Sequence, residues 1–155
     1  MMISFRPMTQ VEFDKFRDAS VLRYREDVAR MTGLSHEQAL EHSRQTFQQI
    51  LPEGLATPNH QLLTILTQEN LIVGSLWIGD RRGADSGYFL YEIWIEPNFR
   101  GQGAGTSAVK YFESEARRLG KKHVSLHVFG HNHGALRLYD RLGYAAISVT
   151  MQKPL

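Results

Sequence analysis

A glycine-rich turn is the feature of this sequence whose chemistry is easiest to infer. It reads Arg100-Gly101-Gln102-Gly103-Ala104-Gly105, and a helix-like run begins at Thr106. Glycines leave backbone N–H groups accessible, and the N-terminus of a helix adds partial positive charge to them. Because Arg100 adds a full positive charge, these residues predict a site for the phosphate or pyrophosphate group of a cofactor.

The glycine spacing differs from those of two common phosphate-binding motifs. A dinucleotide-binding turn has the pattern G-x-G-x-x-G near the start of a βαβ unit, and a P-loop ends in Gly-Lys-Ser/Thr. Here the pattern is G-x-G-x-G and lies about two-thirds of the way along the chain. A tight turn that needs glycine for its backbone conformation alone stays open as an alternative at this point.

The composition is that of one soluble globular domain spanning residues 1–155. The net charge of +2 suits an anionic cofactor, but the basic residues are too scattered to predict nucleic-acid binding. The absence of cysteine excludes disulfides, thiolate catalysis and a cysteine zinc site. The amino-terminal residues include no apolar run long enough for a signal peptide or a membrane span, so we expect a cytoplasmic protein without a membrane partner.

Hydrophobic periodicity and turn residues predict the elements that must position the glycine turn. Capping-box spacings at Thr9 with Glu12 and at Ser35 with Gln38 open the first two helices. A polar loop is predicted at 81–87. The predicted strands are 3–6, 61–67, 71–79, 87–95, 123–128 and 144–151, and the predicted helices are 9–31, 35–51, 106–119 and 134–142. This order predicts a mixed α/β (α+β) domain whose front half is antiparallel.

Two segments in this order together resemble the signatures of the GNAT superfamily of acyl-CoA-dependent N-acyltransferases. The first signature is Gln/Arg-x-x-Gly-x-Gly/Ala, and the second is an Asn, a small residue and a Tyr on a short helix. The matching residues are Arg100, Gly103 and Gly105, then Asn132, Ala135 and Tyr139, followed by Leu142-Gly143-Tyr144. The resemblance implies a mainly antiparallel, twisted sheet of about six to seven strands flanked by about four helices.

The resemblance also implies that acetyl-CoA is the cosubstrate. Its pyrophosphate would bind the turn, through Arg100, Gly101, Gln102, Gly103, Ala104, Gly105 and Thr106. Its pantetheine amides would pair with the backbone of Ile93, Trp94 and Ile95, where the family's strand separates from its neighbour, usually at a bulge. A backbone N–H there would hold the thioester oxygen as negative charge develops.

Tyr139 and Asn132 take their expected roles from the same resemblance. Tyr139 matches a tyrosine that, in many members, gives a proton to the leaving thiolate, a sensible role for a phenol. A half-buried tyrosine that only packs the short helix is the alternative. Asn132 is either the N-cap of that helix or a contact to the pantetheine arm, and the two roles are compatible.

Two residues are candidates for the base that takes the proton of the amine. His127 stands where several protein-acetylating members have a glutamate, and a histidine can accept this proton directly or through water. A histidine bonded to a carbonyl, or one in solvent, is the alternative. Glu92 is the second candidate, although a solvated or ion-paired role is typical of such a residue. His131 and His133 lack a third ligand, so no metal site is predicted.

The predicted activity is therefore transfer of an acetyl group from acetyl-CoA to a primary amine by direct attack. A non-catalytic acyl-CoA sensor or scaffold is the alternative. The acceptor is a small-molecule or peptide amine that the sequence does not identify, and a homodimer stays open. Aromatic residues near the predicted opening would favour a cationic or aromatic amine; they are Trp77, Tyr88, Phe89, Tyr91 and Trp94.

Overall fold

The computed structural model describes residues 1–81 and 87–155 as a mixed sheet with helices on both faces. The elements are β1 (Ile3–Pro7), α1 (Gln10–Thr32), α2 (His36–Ile50), β2 (His60–Thr67), β3 (Ile72–Asp80), β4 (Gly87–Ile95), α3 (Ala104–Arg118), β5 (His123–Leu126) and α4 (His133–Arg141). The polar loop predicted at 81–87 falls largely on residues 82–86, which lie outside the described residues.

The predicted starts of the first two helices are confirmed in detail. Thr9 accepts a hydrogen bond from the backbone N–H of Glu12, whose carboxylate in turn accepts from the backbone of Thr9. Ser35 and Gln38 form the same reciprocal pair at the start of α2. Each pair satisfies N–H groups that a helix start would otherwise leave without acceptors. In the described part of the chain, no helix is long and apolar enough to cross a membrane.

The sheet has five strands in the order β1-β2-β3-β4-β5 over the described residues. Neighbours from β1 to β4 are antiparallel, and β4 pairs with β5 in parallel. The prediction of six to seven strands was wrong, because residues 144–151 form no strand and residues 145–155 are exposed. Their residue types favour a strand, but a strand needs a neighbour to pair with, and none pairs with them here.

Two apolar clusters lie on opposite faces of the sheet. One cluster joins the sheet to α3, and α4 packs against it; its members from α3 are Ala108, Val109, Phe112 and Ala116. The other joins the sheet to α1 and α2 and includes Phe13, Phe16 and Trp77. The sheet is thus held between two helical layers, and α1 lies on the face opposite α3.

Candidate active site

The two parallel strands of the sheet separate beyond Leu90. Pairing between β4 and β5 covers only the four residues from Gly87 to Leu90, opposite His123 to Leu126. The edge of β4 from Tyr91 to Ile95 therefore has no partner strand on the β5 side among the described residues. We call this opening the splay. The predicted strand 123–128 ends early, at Leu126, because β4 no longer pairs with it there.

A β-bulge lies where the splay begins. Trp77 of β3 is opposite Glu92, but the next residue, Ile78, is opposite Leu90. Tyr91 is therefore the extra residue of β4, and its ring stacks on Trp77 at a centroid distance of 4.6 Å. Bulges bend a strand and interrupt its ladder, so this residue accounts for the divergence of β4.

Gly74 of β3 lies opposite the part of β4 that no longer pairs with β5. Its residue partner across the ladder is Ile95. A Cβ atom at Gly74 would collide with the backbone carbonyl of Trp94 and lie 3.2 Å from Cα of Ile95. The close approach therefore needs glycine at this position, and it fixes the backbone of the segment expected to face pantetheine.

The glycine turn ends at the first residues of α3, beside α4. Gly101 and Gly103 have φ values of 72° and 89°, in the left-handed region that favours glycine. The N–H of Ser107 makes the first hydrogen bond of α3, to the carbonyl of Gly103, so the preceding amides have no acceptor within the helix. A Cβ at Gly101 or Gly103 would meet no atom within 4 Å. The amides of Gly101 to Gly105 thus have no hydrogen-bond acceptor among the described residues, as an anion site requires.

Arg100 is exposed, but its side chain is bound to the end of β4. Its Nε donates to the carbonyl of Ile95 at 2.8 Å, and its guanidinium lies over the Trp94 ring at 4.6 Å. Arg23 of α1 also stacks on this ring, at 4.1 Å. Arg100 therefore links the glycine turn to the end of β4. Its positive charge lies between the predicted pyrophosphate site at the turn and the predicted pantetheine site on β4.

Tyr139 packs from α4 against the same core as Ile93 and Ile95 of β4. Burial raises the pKa of its phenol, which keeps the proton on the oxygen at neutral pH. Its ring meets Tyr144 edge-on at 5.8 Å, and its hydroxyl has no hydrogen-bond partner among the described residues. A Cβ at Gly105 would lie 3.4 Å from Leu138, so the helix that carries Tyr139 packs directly beside the turn.

Asn132 is the N-cap of α4. Its Oδ1 accepts a hydrogen bond from the N–H of Ala135 at 3.2 Å. This is one of its two predicted roles. The side chain is exposed, so a contact to a bound molecule is compatible with the cap.

The two candidate bases have different surroundings. Glu92 accepts hydrogen bonds from Ser20 at 2.6 Å and from two nitrogens of Arg23 at 2.9 and 2.7 Å. His127 is exposed and meets Phe129 edge-on at 4.7 Å. It makes no hydrogen bond to a described residue, so its ring nitrogens can accept a proton or bind water.

The loop that follows His127 is bound to α1. His131 Nε2 lies 3.2 Å from Asp27 Oδ1 and stacks on Phe129. Burial raises the pKa of Asp27, while the nearby His131 and Arg30 act in the opposite direction. In the described part of the chain, no group of three or more histidine, aspartate and glutamate side chains could hold a metal ion.

The sequence analysis did not predict that α1 contributes residues to the site. Ser20 and Arg23 bind β4, and Asp27 binds the loop after β5. The helix therefore bridges the two diverging sides of the splay. Ser20, Arg23 and Asp27 are spaced by three and four residues, which places them on one face of a helix. This spacing was the sequence signal that could have indicated their shared role. It does not reveal the partner element, because the ion pair Arg23–Glu92 joins residues 69 positions apart.

The predicted aromatic residues are divided between the two faces. Tyr88 is buried in the core under α3, whereas Trp77 lies in the cluster under α1 and α2. Phe89 meets Tyr91 edge-on at 4.8 Å, and the Tyr91 hydroxyl donates to the carbonyl of Asp80. The guanidinium groups of Arg23 and Arg100 stack on the Trp94 ring. Of the five, Trp94 lies in the segment beyond the bulge that faces the splay.

Comparisons with known proteins agree with this arrangement. A family model described as "Acetyltransferase (GNAT) family" matches residues 22–144. The chain is 33% identical over 156 residues to the uncharacterized N-acetyltransferase YycN of Bacillus subtilis (strain 168), with both proteins covered completely. It is 31% identical over 156 residues to the uncharacterized N-acetyltransferase YdgE of the same organism, covering 100% of this chain and 99% of that protein.

Solved structures show the same fold. The crystal structure of YycN from Bacillus subtilis superposes with a TM-score of 0.90 over 99% of each chain, at 33% identity. The PaiA N-acetyltransferase from Thermoplasma acidophilum, crystallised in complex with coenzyme A, has a TM-score of 0.70 at 13% identity, over 97% of this chain and 94% of that one. At that identity the likeness concerns the fold alone.

The chain belongs to the GNAT acetyltransferase family. It is an N-acetyltransferase, and acetyl-CoA is its cosubstrate.

Proposed function

We propose that the splay is the active site and that residues 1–155 form one catalytic domain around it. The observation that carries this proposal is the convergence of three features at one place. The unpaired edge of β4, the free amides of the glycine turn and the helix bearing Tyr139 are adjacent. The turn would hold the pyrophosphate, and the edge from Ile93 to Ile95 would pair with pantetheine as a strand pairs with a sheet edge.

In the proposed reaction, the nitrogen of a primary amine attacks the carbonyl carbon of the acetyl thioester. The carbon–nitrogen bond forms as the carbon–sulfur bond breaks, and the amine loses one proton. A backbone N–H of the unpaired edge stabilises the negative charge on the carbonyl oxygen. Tyr139 donates its proton to the departing thiolate, since a phenol is protonated at neutral pH.

We propose His127 as the base that removes the proton of the amine, directly or through water. Its exposed ring without a hydrogen-bond partner among the described residues supports this role. Glu92 is the weaker candidate because three hydrogen bonds from Ser20 and Arg23 already occupy its oxygens. A carboxylate held in this way is better suited to binding α1 to β4 than to exchanging protons.

The acceptor proposed for the site is a primary amine of a small molecule or peptide. Asp27, which lies 3.2 Å from His131 in the loop after β5, is a carboxylate beside the splay that would attract such a cation. A cytoplasmic location and a homodimeric assembly remain predictions.

The direct experiment is a screen of small amines and lysine peptides, with release of the coenzyme A thiol as the readout. The unmodified chain should release thiol with at least one acceptor. Tyr139→Phe keeps the ring and removes the proton, so kcat should fall on the order of 10²-fold, while calorimetry should show nearly unchanged affinity for acetyl-CoA. Equal turnover by both proteins would remove Tyr139 from the mechanism.

A further inference from the structure

The side chain of the bulge residue Tyr91 is held at both of its ends. Its ring stacks on Trp77 at a centroid distance of 4.6 Å and an interplanar angle of 14°. Its hydroxyl donates to the carbonyl of Asp80, the last residue of β3, at 2.6 Å. The extra residue of a bulge has no residue opposite it in the ladder, so these two contacts fix where Tyr91 lies.

His60 orients the ring on which Tyr91 stacks. Trp77 is only 5% exposed, and its indole Nε1 donates to Nδ1 of His60 at 3.0 Å. The rings of Phe16 and Phe47 also contact the indole, but they contain no acceptor for its N–H. An indole N–H can only donate, and a buried donor left without an acceptor is costly. The orientation of Trp77 therefore depends on His60, whose ring also lies 5.2 Å from that of Tyr91.

The environment of His60 suits it to accept this bond. His60 of β2 lies opposite Gly79 of β3, and a Cβ atom at Gly79 would lie 2.6 Å from Nδ1 of His60. Glycine therefore lets the imidazole lie against β3. Burial lowers the pKa of His60, while the nearby Asp80 carboxylate acts in the opposite direction. The lowered pKa favours the neutral imidazole, whose Nδ1 keeps the lone pair that accepts from Trp77.

The bulge lies immediately before the unpaired edge of β4. Pairing with β5 ends at Leu90, Tyr91 is the extra residue, and the edge proposed to bind pantetheine runs from Ile93 to Ile95. Bulges bend a strand and re-aim the residues around them, so the position of Tyr91 determines the direction of the backbone N–H groups that follow. His60 itself lies at the start of β2, which is not a neighbour of β4 in the sheet. It therefore acts on this edge through its contacts with Trp77 and Tyr91.

We propose that His60 is a positioning residue for acetyl transfer. Through Trp77 and Tyr91 it holds the bulge so that a backbone N–H of the unpaired edge points at the oxygen of the thioester. This role rests on the proposed function, in which that edge binds acetyl-CoA. It differs from the roles of His127 and Tyr139, because His60 exchanges no proton with the substrate and touches none of the reacting atoms.

The first test compares two substitutions of His60 in steady-state kinetics with one acceptor. His60→Phe keeps a ring and removes the acceptor of the Trp77 N–H. His60→Asn keeps an acceptor, because its side-chain oxygen is as many bonds from the backbone as Nδ1 is. Since misplacement caused far from the chemistry lowers the rate, the kcat of His60→Phe should fall at least about tenfold, and that of His60→Asn should stay within about threefold of the unmodified value. Affinity for coenzyme A, measured by calorimetry, should change little because the glycine turn is untouched.

Phe13→Leu is the control for a loss of stability alone. Phe13 belongs to the same apolar cluster as Trp77, and its ring lies beside Gly54. This variant should melt earlier than the unmodified protein and keep its kcat at a temperature where both are folded. An equal loss of kcat in Phe13→Leu and His60→Phe, or no recovery in His60→Asn, would show that His60 only packs the cluster and would overturn the proposal.

The second test asks whether His60 acts through Tyr91. Tyr91→Leu removes the ring that stacks on Trp77 and should itself lower kcat. Adding His60→Phe to this variant should lower kcat less than about twofold further, because residues in one series of contacts are not additive. Losses that multiply would mean that His60 affects the reaction by another route, contrary to the proposal.

The third test does not depend on activity. The chain has two tryptophans, so Trp94→Phe identifies the indole N–H signal of Trp77 in the NMR spectrum. His60→Phe should shift this signal toward that of a free indole, together with the backbone amide signals of residues 92–95, and His60→Asn should restore both. Amide signals unchanged in His60→Phe, with acetyl transfer retained, would overturn the role of His60 and leave the proposed function standing. An unmodified chain without activity toward any acceptor would instead refute the proposed function, and this role with it, whatever the amide signals show.

Discussion

Arg23 of α1 binds Glu92 of β4 next to the bulge in the strand. Two guanidinium nitrogens donate to one carboxylate oxygen at 2.9 and 2.7 Å, and Ser20 donates to the other at 2.6 Å. The same guanidinium stacks on Trp94, 4.1 Å from the ring centroid. A single side chain of α1 thus contacts both Glu92 and Trp94, in the part of β4 that no longer pairs with β5.

Removing Arg23 should destabilise the fold as well as the site. The Glu92 side chain is only 22% exposed in this ion pair. Arg23→Ala would leave the negative charge of Glu92 with a single hydrogen-bond donor, Ser20. A partly buried charge that loses its partner costs about 1–3 kcal/mol. Urea denaturation should show a loss of this size in the free energy of unfolding.

The matched control for this loss is Arg17→Ala on the same helix. Arg17 pairs with Asp14 and Asp18, and its side chain is 43% exposed. Exposed pairs contribute about 0–1 kcal/mol, so this variant should stay close to the unmodified protein. Equal effects of the two substitutions would mean that Arg23 does not tie α1 to β4.

Acetyl-CoA should raise the melting temperature of the protein, and Gly103→Glu should abolish this shift. Binding to the folded state alone stabilises by about 2.7 kcal/mol at a hundredfold excess over Kd. A glutamate at Gly103 would place a negative side chain in the open space before α3, where the pyrophosphate is expected. The measurement is thermal unfolding with and without acetyl-CoA.

Gly120→Glu separates the loss of binding from the strain of the substitution. Gly120 also has a positive φ, 71°, with open space around it, but it lies at the other end of α3. Both variants should melt earlier than the unmodified protein, because a residue with a Cβ is strained in this conformation. Only Gly120→Glu should keep the shift with acetyl-CoA. If the unmodified chain shows none at millimolar acetyl-CoA, the assigned cofactor site is wrong.

The base can be identified from the pH dependence of kcat/KM with one acceptor. If His127 removes the proton of the amine, the rise of activity with pH should depend on this residue. His127→Ala should remove this rise and leave an activity that follows the ionisation of the free amine at higher pH. The comparison needs the same acceptor for both proteins, because the amine itself titrates.

Glu92→Gln is the comparison variant for the rival carboxylate. It keeps the size of the side chain and removes its charge, so the pH profile should keep its shape if Glu92 is structural. A profile flattened by Glu92→Gln but unaffected by His127→Ala would reverse the assignment. Insensitivity to both changes would indicate an acceptor that arrives deprotonated, with the protein supplying position and the oxyanion contact.

Acid should remove a stabilising contribution at the start of α1. The Arg6 guanidinium beside Glu12 lowers the pKa of that carboxyl to about 2. Because the folded-state pKa lies below the unfolded one, the contribution is complete above about pH 5 and is lost as the pH falls toward 2. In urea denaturation, the difference between the unmodified protein and Glu12→Gln should therefore be present at neutral pH and shrink in acid.

Glu37→Gln provides the control for this titration. Glu37 lies in the first turn of α2 and is exposed, like a typical surface carboxylate. Its effect on stability should be small at every pH. A pH dependence as large as that of Glu12→Gln would show that the Arg6 ion pair is not the cause.

Most of the element order could be predicted from the sequence because local signals determine it. The capping pairs at Thr9 and Ser35 and the glycine turn before α3 act within a few residues. The strand predicted at 144–151 had equally good local signals, but pairing is a property of two segments, and the second is not encoded nearby. The count of strands failed for this reason.

The site was predictable where it depends on backbone conformation and less so where it depends on distant contacts. The bulge and the opening of β4 were expected only through the family resemblance, and they are present at Tyr91 and beyond Leu90. The ion pairing of Glu92 depends on how α1 packs across the sheet, and no spacing along the chain determines this. Gly74 was missed for the same reason, since its role depends on the approach of a neighbouring strand.

The extra residue Tyr91 determines which alternate residues of the following part of β4 face the core. Before it, the even-numbered Tyr88 and Leu90 face the core under α3; after it, the odd-numbered Ile93 and Ile95 do. Without this offset, the carboxylate of Glu92 would point into the apolar core and Ile93 toward the ion-pairing residues of α1. Deleting Tyr91 would therefore invert the inside and outside of the rest of β4, although the deletion changes the length of the chain by one residue.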